Sequence, residues 1–176
     1  MKDNRAKALA KVKALIRPAP FKGVQFWDIA PLLESYEGRT IVTDLLEQAW
    51  HGKVDAVVGL DARGFIFGTS LADRLKLPFV MVRKRGKLPG DVVSVKYGLE
   101  YGTDEIEMQR DALPAGSRVL IVDDVLATGG TAAAAKDLVQ KVGATVVGCA
   151  FVIELPALCG RDKLGTTPVT LLVQYD

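Results

Sequence analysis

Apolar residues recur along this chain at two spacings. Leu9, Val12 and Ile16 fall at helical intervals, with Asp3 or Asn4 ahead of them as a cap. A first helix over residues 5–16 is predicted, broken by "RPAPFKG". A second is expected from about Thr40 to Trp50, ended by Gly52. "DAVVGL" (55–60) reads as a short apolar strand. In "GFIFGTSLADRLK", Phe67, Leu71 and Leu75 recur every four residues, which predicts a helix. "PFVMVRK" (78–84) and "RVLIVDD" (118–124) are further strands. Ala135, Leu138, Val139 and Val142 predict a helix closed by Gly143, and "TVVGCAFVIEL" and "PVTLLVQY" are the last two strands.

One stretch breaks this alternation. "RGKLPGDVVSVKYGLEYGTDEIEMQRDAL" mixes Gly, Pro and charge with short alternating runs such as "VVSVKY". It predicts a long loop with antiparallel strands. Elsewhere, near-continuous apolar strands alternate with helices. The fold class is therefore α/β, a central mostly parallel sheet flanked by helices. Ligands in such sheets bind beyond the carboxyl ends of the strands. The polar clusters "LDARGF" and "VDDVLATGGT" fall at those ends.

Composition narrows the classes. A length of 176 residues suits a single domain. Apolar residues make up 49% and charged residues 25%, ordinary globular values. A net charge of +2 is too small to imply a nucleic-acid or membrane surface. No apolar run approaches the ~18 residues of a membrane span. "MKDNRAKALAKVKALI" lacks the apolar stretch of a secretory signal. Cys149 and Cys159 fit neither a zinc nor a redox spacing, and Cys149 reads as a core residue. A reducing, cytoplasmic setting is expected. His51 is the only histidine and sits at a helix end, so no His-based triad or His/Cys metal site can be assembled.

The candidate chemistry lies in "VLIVDDVLATGGT". Ala127, Thr128, Gly129, Gly130 and Thr131 join a strand end to a helix start. Unpaired N–H groups and the helix dipole give that start a positive potential. The glycines let the backbone curl close to a ligand, and the threonines add hydroxyls. The loop suits a phosphate, although "TGGT" alone would equally suit a plain helix cap. The Walker ending Gly-Lys-Ser/Thr is absent, which disfavours ATP hydrolysis. Asp123 and Asp124 decide between the two readings. Adjacent carboxylates repel each other and cost energy to desolvate, so they need hydroxyl or cation partners. A ribose offers two vicinal hydroxyls, and its 5′-phosphate would lie in the loop.

These thirteen residues resemble the phosphoribosyl pyrophosphate signature of the type I phosphoribosyltransferases. "GLDARGFIFG", "VRKRGKLPG", "YGLEYGTDEIEMQRDAL" and "LLVQYD" resemble, in order and over most of the chain, the adenine phosphoribosyltransferase family. The resemblance implies one domain over 1–176 with the type I phosphoribosyltransferase fold. It has a small N-terminal hood that holds the base (about 1–35) and a flexible antiparallel catalytic loop (about 86–110). It implies the conversion of adenine and 5-phosphoribosyl 1-pyrophosphate to AMP and pyrophosphate in purine salvage. The Mg²⁺ is held mainly by the substrate pyrophosphate rather than by a protein metal site, and a homodimer is implied, with no nucleic-acid or membrane partner.

By the same resemblance, residues 127–131 bind the 5′-phosphate, and Asp123 and Asp124 the ribose hydroxyls. Asp61, Ala62 and Arg63 form the pyrophosphate loop, where the family often has a cis peptide. A guanidinium suits that loop because its paired donors grip phosphate oxygens. Arg83, Lys84 and Lys87 of "VRKRGK" read as a second pyrophosphate contact, part of which reaches across a dimer interface in the family. In "GLEYG", Glu100 matches the family's glutamate at the purine imidazole edge and is the general acid/base candidate, with Tyr101 beside it on a mobile segment. Arg63 and Glu100 are the catalytic pair.

"GVQFWDIAPLL" resembles the family's base-binding segment with departures. Trp27 replaces an arginine before Asp28, Gln25 replaces an aliphatic residue, and "FKG" replaces the usual Pro-Gly turn. Gln25 could hydrogen-bond a purine edge, Trp27 could stack or fill space, and Phe26 is a stacking candidate or a core aromatic. Two alternatives stand beside the adenine reading. One is transfer to a 6-oxopurine, for which Lys163 is the nearest candidate donor. The other is a non-catalytic phosphoribosyl pyrophosphate sensor, which would ordinarily carry a basic nucleic-acid-binding addition.

Overall fold

The computed structural model describes residues 2–21, 24–99 and 102–176. Helix α1 (Lys2–Ala14) buries Val12, and Ile16 is buried just beyond it. It starts ahead of both expected caps. Asp3 instead lies in the first turn, where negative charge meets the positive helix end, and it pairs with Lys7 at 2.9 Å. The segment expected only to break this helix forms a strand. β1 (Arg17–Phe21) pairs antiparallel with β2 (Val24–Asp28). Pro18 and Pro20 lie opposite Trp27 and Gln25. Prolines have no N–H to give, so the ladder bonds fall at the intervening pairs of Arg17, Ala19 and Phe21.

A short helix α2 (Ala30–Glu34) leads into α3 (Tyr36–Trp50). α3 begins earlier than its apolar spacing suggests because Ser35 caps it, its Oγ accepting from the Gly38 N–H at 3.0 Å. β3 (Ala56–Leu60), α4 (Gly64–Leu75) and β4 (Phe79–Lys84) follow as expected. β5 (Val92–Leu99) and β6 (Gly102–Gln109) form the antiparallel pair. β7 (Arg118–Leu126), α5 (Gly130–Lys141), β8 (Thr145–Glu154) and β9 (Val169–Gln174) complete the chain, with 3₁₀ turns at Pro156–Leu158 and Gly160–Leu164.

The main sheet has the order β5-β6-β4-β3-β7-β8-β9. Neighbours from β4 to β9 are parallel, and β6 alone runs against them, antiparallel to both β4 and β5. Alternation along β7 divides the core. Leu120 and Val122 pack with Phe67, Leu71, Val42 and Leu46 of α4 and α3 on one face. Val119 and Ile121 pack with Ala135, Leu138 and Val139 of α5 on the other. Each such buried Val or Leu contributes about 1.5–3 kcal/mol. Cys149 belongs to the α5 face, where burial pushes its thiol up to about 12. His51 is exposed at the end of α3.

Candidate active site

β7 runs two residues past the carboxylates that were expected to end it, because β8 continues beside it and pairs with Val125 and Leu126. The chain then turns through residues 127–129 into α5. Gly129 takes φ +75° at the helix N-cap and supplies no side-chain cap, so the first N–H groups of α5 are left for a ligand. Asp123 and residues 125–132 line a pocket of ≈ 140 Å³ at this point. A larger cleft of ≈ 550 Å³, lined in part by Arg5, Ile41 and Gln48, gathers no comparable set of phosphate donors. Gly129 is also needed on its far side. A Cβ there would lie 2.2 Å from the Gly160 carbonyl oxygen, and a Cβ on Gly160 would lie 2.2 Å from the Ala127 oxygen. The two loops touch backbone to backbone. Periodicity gives no sign of Gly160's role, since the contact joins segments far apart in the chain.

Asp124 meets Arg63, the residue that opens α4, with Nε 2.9 Å from Oδ2. The approach is that of an ion pair without hydrogen-bond alignment, which leaves Oδ2 buried and unsatisfied as an acceptor. The Arg63 guanidinium also sits 4.7 Å from the ring centre of Phe26. Asp123 Oδ1 accepts from the Asp124 N–H at 2.9 Å. Gly64 lies so close that a Cβ would stand 2.7 Å from the Val122 oxygen and 2.9 Å from Asp123 Oδ1. Burial pushes the Asp123 carboxyl well above the usual carboxylate range, and the neighbouring Asp124 charge adds to this. Burial raises Asp124 as well, with Arg63 holding it back.

The next strand ends carry the cations. The Asp61–Ala62 peptide bond is cis. Arg83 Nε donates to Asp61 Oδ2 at 3.2 Å, and its Nη1 donates to the Lys87 carbonyl at 3.2 Å. The N–H groups of Lys87 and Leu88 both donate to Glu107 Oε1 at 3.0 Å, which makes buried Glu107 the anchor of the basic loop. Lys84, on the opposite strand face from Arg83, pairs with Asp104 of β6 instead. Asp104 Oδ2 also accepts from the Tyr97 hydroxyl at 3.2 Å, and that hydroxyl lies 3.2 Å from Thr131 Oγ1. Glu107, Asp104 and Tyr97 were not singled out from the sequence. Their partners depend on strand register, which composition does not reveal. Glu100 and Tyr101 lie outside the described residues.

The N-terminal candidates separate. Phe26 faces Arg63, whereas the Trp27 ring stacks on Tyr175 with centroids 3.7 Å apart. Tyr175 is held in turn by its hydroxyl, which donates to the Lys13 carbonyl at 2.9 Å. The Trp27 side chain thus packs against the C-terminal strand end through this stack. Gln25 is exposed. Because the ladder bonds of β2 fall at Val24, Phe26 and Asp28, the main-chain groups of Gln25 and Trp27 face the open edge of the hairpin. Lys163 is exposed on the second 3₁₀ turn.

Comparison with known proteins agrees with this arrangement. Residues 32–168 match the family described as the phosphoribosyl transferase domain. The chain is 50% identical over 169 residues to the adenine phosphoribosyltransferase of Trichodesmium erythraeum, covering 94% of this chain and 99% of that one. The adenine phosphoribosyltransferase structure from Rhodothermus marinus superposes with a TM-score of 0.92 at 47% identity, over 97% of this chain and 99% of that one. The Saccharomyces cerevisiae enzyme, complexed with an imino-altritol bisphosphate and adenine, superposes with a TM-score of 0.89 at 43% identity, over 96% and 99% of the two chains. A bare loop at the start of α5, two carboxylates and an arginine meet at one sheet edge in a chain matched along nearly its whole length, and the chain belongs to the adenine phosphoribosyltransferase family.

Proposed function

We propose that the chain converts adenine and 5-phosphoribosyl 1-pyrophosphate to AMP and pyrophosphate, a purine-salvage reaction. One observation carries the reading. The phosphate-sized pocket of loop 127–131 opens beside Asp123, while Asp124 and Arg63 stand at the same sheet edge. The N–H groups of the loop and α5 hold the 5′-phosphate. Asp123 and Asp124 accept from the ribose hydroxyls. Arg63, Arg83 and Lys87 neutralise the pyrophosphate as charge develops on it. The C1′–O bond to pyrophosphate breaks, the C1′–N9 bond to adenine forms, and the proton on the purine ring passes to Glu100. That role predicts that Glu100→Ala lowers kcat while AMP still binds. An unchanged kcat would remove Glu100 from the mechanism.

Among the described residues no three His, Cys, Asp or Glu side chains gather as a metal cluster. A Mg²⁺ would be held mainly by the hard oxygens of the substrate pyrophosphate, whose remaining charge Arg63, Arg83 and Lys87 would neutralise. When bound it would add positive charge to the leaving group. A homodimer is supported by the exposed apolar residues Ile66 of α4 and Met81 of β4. Met81 shares a strand face with Arg83. No helix among the described residues is long and apolar enough to cross a membrane. A cytoplasmic setting is supported by the free thiols of Cys149 and Cys159.

The open main-chain edge at Gln25 and Trp27 supports adenine as the base, because side-chain changes there leave those groups in place. The test is a panel of adenine, hypoxanthine, guanine and xanthine, each with phosphoribosyl pyrophosphate and Mg²⁺, read by chromatography. AMP from adenine alone is expected. Turnover of a 6-oxopurine instead would overturn the base assignment. Binding without turnover of any base would favour the sensor.

A further inference from the structure

Tyr97 sits where two parts of the site meet. It lies opposite Asp104 in the β5–β6 register. Its ring approaches the first turn of α5 so closely that a Cβ on Gly130 would be 3.4 Å from Cδ2. Its hydroxyl lies 3.2 Å from both Asp104 Oδ2 and Thr131 Oγ1. Counting protons fixes the direction of these bonds. Asp104 is ion-paired with Lys84 and has no proton to give. The single Tyr97 proton therefore goes to Asp104, and the single Thr131 proton goes to the Tyr97 oxygen. Thr131 also lines the phosphate pocket. A phosphate dianion only accepts, so it needs the same Thr131 proton.

We propose that Tyr97 is a latch that ties the β5–β6 hairpin to the phosphate loop through Thr131, a tie that a phosphate monoester breaks when it takes the Thr131 proton. The proposal rests on the reading of loop 127–131 as the 5′-phosphate site. Binding of the phosphate and seating of the hairpin compete, and the competition is reciprocal. Tyr97 is a positioning residue, since it acts through Thr131.

Removing the latch should strengthen phosphate binding, the reverse of what loss of a structural or ligand-contacting hydroxyl does. Calorimetric titration with ribose 5-phosphate and, separately, pyrophosphate would be run on the unmodified protein, Tyr97→Phe, Thr131→Val and the double variant. Tyr97→Phe is expected to bind ribose 5-phosphate about threefold to tenfold more tightly, the scale of one net hydrogen bond. Pyrophosphate affinity should stay unchanged, and the gain should vanish in the Thr131→Val background. Equal or weaker ribose 5-phosphate binding overturns the latch. So does a matching shift for pyrophosphate, or a gain that survives without the Thr131 hydroxyl. If the unmodified protein does not bind ribose 5-phosphate at all, the phosphate-loop reading itself falls and the latch with it.

Discussion

Replacing both Asp123 and Asp124 by Asn is expected to lower turnover at sub-saturating phosphoribosyl pyrophosphate by roughly a hundredfold or more, while the protein melts at the same or a higher temperature. The loss follows from two charge-assisted bonds to ribose hydroxyls, each worth about 1.5–3 kcal/mol, and from the amide donors that Asn turns toward the sugar. The stability follows from burial. Both carboxyls are raised above their ordinary value of 3.8 in the folded protein. Such groups favour the fold when protonated. Their contribution is present below the ordinary carboxyl range and is lost as pH rises through the raised values. Wherever the pair is ionised it weakens the fold, and Asn removes that penalty. It also keeps an oxygen for the Asp124 N–H. Thermal melts at pH 5 and pH 8 should show the unmodified protein losing ground at the higher pH relative to the variant. Full turnover at low substrate would sink the ribose assignment.

Gly160→Ala is expected to weaken ribose 5-phosphate binding by about a hundredfold, although Gly160 does not line the pocket. Its new Cβ would stand 2.2 Å from the Ala127 oxygen, 3.0 Å from the Gly129 N and 3.0 Å from Leu126 Cδ1. Two of those atoms are backbone and cannot rotate aside. The loop must shift, and with it the N–H groups aimed at the phosphate. Misplacement on the ångström scale is enough for a loss of this size, while overpacking costs about 1–3 kcal/mol of stability. The segment has little freedom to retreat, because Glu154 is buried and grips Arg161, with Nη2 3.1 Å from Oε2. Titration with ribose 5-phosphate and a thermal melt test this together. A folded variant with unchanged affinity would show that the two loops do not need each other.

The sequence by itself determined much of this protein. The apolar runs of β3, β7 and β8, the helical spacing in α4 and α5, and the bare loop 127–131 are local patterns. Each needs only neighbours within about one helical turn or one strand to be read. The parallel sheet and the placing of polar clusters at its carboxyl edge follow from them. What only the tertiary structure decided are contacts between distant segments. Pro18 and Pro20 look like breakers until β2 lies beside them and shows that their missing N–H groups are not needed. Arg83 and Lys84 look like one basic run until strand alternation sends one to Asp61 and the other to Asp104. Nothing in the segment around Trp27 shows that Tyr175, at the other end of the chain, stacks on its ring. The physical reason is common to all three. Periodicity says which way a side chain points relative to its own element, whereas its partner is set by the register and packing of elements that the chain brings together only on folding.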